Sequence, residues 1–319
     1  ISNETKTEET IQGQAEINKP VRWLKKIELN ESVDNLTVLI PQNSSDIKVI
    51  KIINETREEI PPESLKIKEL DVFKTESEEI KEVELVIGET VQEVEIQYST
   101  EAPQVIENEI NPFKKEITIY SSIHYENILT YTHIKDSPKE RIKLYWIVNN
   151  TRQLVTNLSH EDTNNDSLID KIQWITPYLS NQTYEIIITK AEHLDSNRNF
   201  ISDIYEQVRE LDGNWSETIP SEDYVRITFE QNLTSENDIT IFPRIINGTP
   251  KMEIFGFNKS DLIAEFANIT PNEYNKVFLT DLNNTQGIFD LHVLGGSLEF
   301  DHIIDPAFIA SNISHDIDI

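Results

Sequence analysis

The chain contains no cysteine. That excludes a disulfide framework, a thiolate metal centre and a thiol nucleophile. Glycine and methionine are scarce, with 8 and 1 in 319 residues, and no phosphate-cradling glycine loop or nucleophile elbow is present. Basic residues are few: 28 Lys and Arg stand against 57 Asp and Glu, a formal charge of −29. Such a balance argues against nucleic acid, whose phosphates demand Lys and Arg patches, and against anionic membrane surfaces. An acidic exterior suits exposure to divalent cations or high salt, and simple self-repulsion accounts for it equally well. No apolar run approaches the roughly 18 residues that span a bilayer. The chain opens ISNETKTEET, without an initiator Met or an apolar signal region, and reads as a mature or excised segment.

What is abundant is the tripeptide Asn-x-Ser/Thr. Sixteen of the 28 asparagines occupy it: Asn3, Asn30, Asn35, Asn43, Asn54, Asn149, Asn157, Asn165, Asn181, Asn214, Asn232, Asn247, Asn258, Asn268, Asn283 and Asn312. Ser and Thr make up roughly 15% of the chain, so chance supplies about four such sites. The excess points to N-linked glycans on a polypeptide that has crossed a membrane. The competing explanation is that Asn and Thr gather in the turns of any β protein. No sequon falls between Asn54 and Asn149, which leaves room for a glycan-free contact face.

The length predicts two to three domains. Ile and Val dominate the apolar set and suit half-buried strands. Residues 1–19 are polar and acidic and read as a flexible leader. Beyond them the pattern has period two. Val83, Leu85 and Ile87 alternate, then Val94, Ile96 and Tyr98 after Gly88-Glu89, as in a hairpin. Ile142 to Val148, Tyr184 to Ile188, Val225 to Phe229 and Phe289 to Val293 alternate likewise, and Asn247-Gly248 and Gly295-Gly296 read as two-residue hairpin turns. One helix is expected, capped by Ser202, with Ile204, Val208 and Leu211 on one face and Gly213 as its stop. Tyr184 and Tyr274 each precede a strand in the manner of a tyrosine corner. The reading is all-β: tandem immunoglobulin-like β-sandwich domains with one short helix near 203–211. The expected division is a leader at 1–19, sandwiches at 20–105, 106–190 and 191–306, and a C-terminal strand at 307–319.

Two acidic loops resemble calcium loops. Asp162, Asn164, Asp166 and Asp170 fall at positions 1, 3, 5 and 9, the Leu168 carbonyl at 7 and Gln173 at 12, a spacing that wraps hard oxygens around one ion. Ser167 replaces the usual Gly, and Gln173 cannot chelate as a carboxylate, so weak, extracellular-grade affinity is expected. Asp195, Asn197, Asn199, Asp203 and Glu206 form a second, weaker set, with Phe200 where the turn needs Gly. In both places an Asp/Asn-rich turn, or a favourable helix N-terminus in the second, is the plainer explanation.

No catalytic residue is assigned, and the chain reads as a non-enzyme. The seven His residues lack metalloprotease spacing, with His302 expected in the core beside Leu298 and Phe300, and His292 facing out. Trp146 and Trp174 are expected in cores, while Trp23 and Trp215 are less constrained. Two exposed, coplanar Trp rings would instead mark an adhesion or carbohydrate-binding module, the alternative function.

The run Leu144-Tyr-Trp-Ile-Val148, followed by DTNNDSLIDKIQW, TPYLSNQTYEI and KAEHLDSNRNFISDIYEQV, resembles a segment shared by large secreted proteins of small-genome archaea. Arg22-Trp23 with Lys25-Lys26, and LEFDHIIDP ending at Pro306, resemble the same group. The resemblance implies a multi-domain β protein at the cell surface, and Gln173 departs from the acidic residue it leads one to expect. The expected function is a structural subunit of a cell-surface filament or S-layer-like assembly, a homo-polymer. In the tail beyond Pro306, Ile313, Ile317 and Ile319 lie on one side of an extended strand that can join a neighbour's sheet edge, or be the first strand of a further domain or an internal strand of the last one.

Overall fold

The computed structural model describes residues 5–69, 82–178 and 181–305. The expected C-terminal strand at 307–319, Asn3 and Asn312 lie outside the described residues. The fold is all-β, with 66% of the described residues in strands and 3% helical. It divides into two compact units, Ile1–Ser137 with Leu144–Ile186, and Pro138–Lys143 with Ile187–Ile319.

The first unit holds two pairs of sheets. In the first pair, a five-stranded sheet runs Thr5–Gln12, Val21–Val33, Val91–Thr100, Ser45–Ile53, Thr56–Glu59, and a three-stranded sheet runs Leu36–Pro41, Glu82–Ile87, Leu65–Glu69. Alternation buries Ile27, Leu29, Val94 and Ile96 of one sheet in a single cluster with Val38, Ile40, Leu85 and Ile87 of the other. The second pair sets Thr151–Leu154, Ile142–Val148, Asn181–Ile188, Lys114–Tyr120, Gln104–Asn111 beside Glu126–Ser137, Ile169–Tyr178, Ser159–Glu161. Its buried side chains include Ile117, Ile119, Leu144, Trp174, Tyr184 and Ile186.

Residues 5–19 are not a loose leader. Thr5–Gln12 pairs antiparallel with Val21–Val33. Ala15 and Ile17 are buried, and they exchange backbone hydrogen bonds of 2.9 and 3.1 Å with Leu129. The strand's side chains stay in water while its backbone is paired, so hydrophobic patterning gives no sign of it. A polar knot holds the start of the two sandwiches: Thr100 Oγ1 lies 2.8 Å from both Trp23 Nε1 and the Tyr125 hydroxyl, which also donates to Glu101 O.

The second unit is one seven-stranded sheet in the order Phe200–Asp203, Lys190–Leu194, Tyr224–Leu233, Gln286–Ile303, Asp238–Gly256, Leu262–Phe266, with Asn275–Phe278 also on Asp238–Gly256. Its two longest strands, of 19 and 18 residues, pair from Ile241 opposite Ile303 to Gly256 opposite Phe289. Ile239 and Ile241 before the middle, and Met252 and Ile254 after it, share one core cluster with Phe289 and Phe300. The sheet therefore folds over onto itself. The crease is where Gly248 faces Gly296.

Several turn expectations fail for one reason. Asn247-Gly248 and Gly295-Gly296 lie inside strands, at the crease, where glycine gives room for close backbone approach rather than for a hairpin. A Cβ on Gly248 would fall on Gly295 O and 2.7 Å from Gly296 Cα. Gly88-Glu89 joins strands of different sheets, not a hairpin. Two-residue hairpins with both central residues left-handed are at Asn54-Glu55 and Asn149-Asn150, with φ of +48 and +65, and +49 and +62. Asn takes over the left-handed role that scarce glycine leaves open. The helix is a single turn, Tyr205–Val208; Ser202 lies in a strand, Asp203 accepts the Tyr205 N–H, and Leu211 is exposed. Neither tyrosine corner forms: among the described residues the buried Tyr184 hydroxyl makes no hydrogen bond to backbone and faces the side chains of Thr176 and Trp174, and the Tyr274 hydroxyl meets His302 Nδ1 at 3.2 Å. His292 lies on the face opposite Leu291 and Val293, as alternation implies, but it is covered there, stacked at 4.2 Å on Tyr224, which is buried with Leu194 and Phe255.

The crease is testable. Gly248→Ala combines a forbidden contact with φ of +72 and is expected to cost about 2 kcal/mol or more, whereas Gly213→Ala, at φ +83 with open space around it, should cost only about 1 kcal/mol. Urea unfolding of the two variants measures the difference, and equal losses would remove the steric argument.

Candidate functional site

The first loop, between Ser159–Glu161 and Ile169–Tyr178, is folded by its own carboxylates. Asp162 Oδ1 accepts the N–H groups of Asn165 at 2.6 Å and Asp166 at 3.2 Å, and Oδ2 accepts that of Ser167 at 2.9 Å. Asn164 Oδ1 takes the Asp166 N–H at 3.0 Å, and Asp166 Oδ1 takes that of Leu168 at 2.8 Å. Asn165 and Ser167 have φ of +62 and +74, so Ser167 adopts the conformation that calcium loops assign to Gly. Asp162, Asn164 and Asp166 thus line one arc. Asp170 closes the loop from the far end, accepting the Thr163 N–H at 2.9 Å and its hydroxyl at 2.5 Å. Gln173 is drawn away, its Nε2 donating to Glu161. Among the described residues, no three His, Asp or Glu side chains gather as a metal group. A cation here would rest on two carboxylates, amide and main-chain oxygens, a donor set for a hard ion held weakly.

The second set is divided. Asp195 accepts the N–H groups of Asn197 and Asn199, both at 2.8 Å, and the Asn199 amide at 2.9 Å. The left-handed residue is Arg198, two positions before Phe200, which is already extended. Asp203 and Glu206 instead pair with the buried guanidinium of Arg141, which lies over the Tyr205 ring.

The sequons share one property. All fourteen that lie within the described residues, sixteen less Asn3 and Asn312, place their Asn among exposed residues. They occur in both units. Turn demand explains part of their placement: Asn35, Asn54, Asn149, Asn165 and Asn258 have positive φ, as do Asn18, Asn127, Asn150 and Asn272, which lack the motif. It does not explain why five of those nine carry Ser or Thr two residues on. Asn258 is the most firmly held: its Oδ1 accepts Arg226 at 2.7 Å, beside the fully buried Asp290 that binds both Arg226 and Arg198. Asn43 alone uses the atom that would carry the sugar, donating Nδ2 to Glu101 at 3.3 Å.

Trp residues build no platform. Trp23 lies between Tyr98 and Tyr125, Trp146 between Tyr178 and Tyr184, Trp174 is buried and Trp215 is covered by Arg244. Sequence reasoning missed a cleft of about 500 Å³ in the second unit, lined by Tyr205, Arg209, Phe229, Glu230, Tyr274 and His302 among others. Burial, then the charge of Asp305, pushes the Glu230 carboxyl up, and burial pushes His302 down. These residues come from four separate stretches of chain, and no local spacing announces them.

Comparison with protein-family models and with curated proteins finds no match for the chain.

Asp170 gives a pH test. The Thr163 hydroxyl, then its N–H, holds this carboxyl below the ordinary 3.8. A lowered folded value means that the contribution is complete above 3.8 and disappears as pH falls through the lower folded value. Thr163→Val should move the Asp170 midpoint back up toward 3.8 in a carboxyl ¹³C NMR titration; an unmoved midpoint would refute the assignment.

Proposed function

We propose that the protein is a structural, non-catalytic subunit of an extracellular, N-glycosylated cell-surface assembly, a filament or S-layer-like sheet, on an archaeal cell. The observation that carries this reading is the exposure of every described sequon asparagine, in both units. Glycans attached there would cover turns and strand ends without displacing any core side chain. The resemblance of residues 144–208 to secreted archaeal surface proteins points the same way. Acidic surface charge keeps such a subunit soluble before assembly. Rigidity comes from sheets, since no disulfide is available. Calcium at Asp162, Asn164 and Asp166 would tighten the loop by relieving their mutual repulsion, and subunits would join through sheet edges into a homo-polymer.

Intact-mass analysis of material from its native source is expected to exceed the 36.9 kDa polypeptide by several glycans, and negative staining is expected to show fibres or sheets. A bare polypeptide mass would sink the proposal. Calcium is a separate question. Chelator should lower the melting temperature, by about 2–4 °C for each kcal/mol lost, and Asp166→Ala should remove that sensitivity. Identical melts with and without chelator would dismiss calcium and leave the surface assignment standing.

A further inference from the structure

The sheet edges of the first unit are not treated alike. Its four sheets have eight edge strands. Five have a sequon asparagine within two residues of an end: Asn3 precedes Thr5–Gln12, Asn35 precedes Leu36–Pro41, Asn54 precedes Thr56–Glu59, Asn149 precedes Thr151–Leu154 and Asn157 precedes Ser159–Glu161. In four of these the hydroxyl residue of the sequon is itself the first residue of the strand. A glycan at such a corner stands where an incoming strand would begin to pair, which is a physical block on edge-to-edge addition. A sixth edge, Glu126–Ser137, is covered at Leu129 by Ala15 and Ile17. Among the described residues of the first unit two edges remain, Leu65–Glu69 and Gln104–Asn111. Both lie in the long sequon-free stretch between Asn54 and Asn149.

These two edges are chemically complementary. Leu65–Glu69 presents Lys66 and Lys68 on one face, and neither makes an ion pair among the described residues; Ile67 on the other face is 58% exposed. Gln104–Asn111 presents Glu107 and Glu109 on one face, and exposed Ile106 and Ile110 on the other. Laid antiparallel with Lys66 opposite Glu109 and Lys68 opposite Glu107, the pair places Leu65 opposite Ile110 and Ile67 opposite Asn108 on its second face. On one face each lysine meets a glutamate; on the other Leu65 meets Ile110, and Ile67, facing Asn108, lies diagonal to Ile106 and Ile110.

We infer that Leu65–Glu69 of one copy adds to Gln104–Asn111 of a second copy, a head-to-tail strand contact that glycans at five of the first unit's other edges favour by closing them. The two edges belong to different sheets, so the contact is heterologous and propagates. This inference rests on the surface-assembly reading and names its interface. Lysines on an edge also serve elsewhere purely to prevent pairing, and the two roles predict opposite results.

Sedimentation velocity of the native, glycosylated full chain separates them. Lys66→Glu with Lys68→Glu is expected to raise the half-association concentration about tenfold, as two cross-strand attractions become repulsions. Glu109→Lys should do the same to a lesser degree; Glu107 is left in place because it holds Lys115 at 2.8 Å and the Thr132 hydroxyl at 2.6 Å. An equimolar mixture of the two variants should recover pairwise association, because the unchanged Lys66 and Lys68 edge of the Glu109→Lys chain meets the unchanged Glu107 and Glu109 edge of the other. Thermal melts matching the unmodified protein establish that both variants are folded. If the lysine variant associates as the unmodified chain does, or if the mixture does no better than either variant, the interface is wrong. Assemblies that persist on negative stain in that case preserve the surface reading, whereas native material that is monomeric at every concentration removes both.

Discussion

Sheets need sharp reversals, and sharp reversals of the right hand need residues at positive φ. Glycine meets that need most cheaply, yet this chain has eight glycines for more than twenty strands. Asparagine therefore carries the load: nine of the fourteen non-glycine residues at positive φ are Asn. Three of the glycines, Gly248, Gly295 and Gly296, serve close backbone contact at the crease, where a Cβ on Gly248 or Gly296 would collide with the facing strand. This conformational constraint fixes where the amides sit. A left-handed Asn at a hairpin corner is exposed by geometry, its amide projecting from a turn with nothing above it. Turn formation and the Asn-x-Ser/Thr motif then draw on the same residue at Asn54 and Asn149, and the Thr two positions on is the first residue of the next strand, where β-branched side chains are at home.

That overlap explains what the sequence disclosed. Period-two alternation located the interior strands, because Val225, Ile227 and Phe229, or Leu85 and Ile87, are buried by the same alternation that makes them visible. The all-β class followed directly. Topology did not, because it depends on glycine used in two senses. Asn247-Gly248 has the composition of a turn and the position of a crease, and nothing local distinguishes a backbone that reverses from one that is crossed closely by another. Thr5–Gln12 was hidden for the opposite reason: an edge strand held by backbone bonds needs no apolar face. The helix near 203–211 is one turn only, and Asp203 at its start divides its oxygens between the Tyr205 N–H and Arg141, a partner some sixty residues away that no window reaches.

The acidic loops show the same limit at the level of a site. Spacing identified the residues of the first loop that converge, Asp162, Asn164 and Asp166, since their neighbourhood is local. It gave no warning that Gln173 would turn to Glu161, or that Asp203 and Glu206 would serve an arginine. Ligand counting along a chain assumes that each oxygen is free to turn inward, and cross-strand partners decide that. The cleft beside Tyr274 and His302 belongs to no motif at all.

The crease has a mechanical side. Asp238–Gly256 and Gln286–Ile303 run antiparallel across the fold of the sheet, joined on both sides of Gly248. Tension drawn along these strands would be shared by all their rungs at once, as in a lap joint, instead of peeling them one by one.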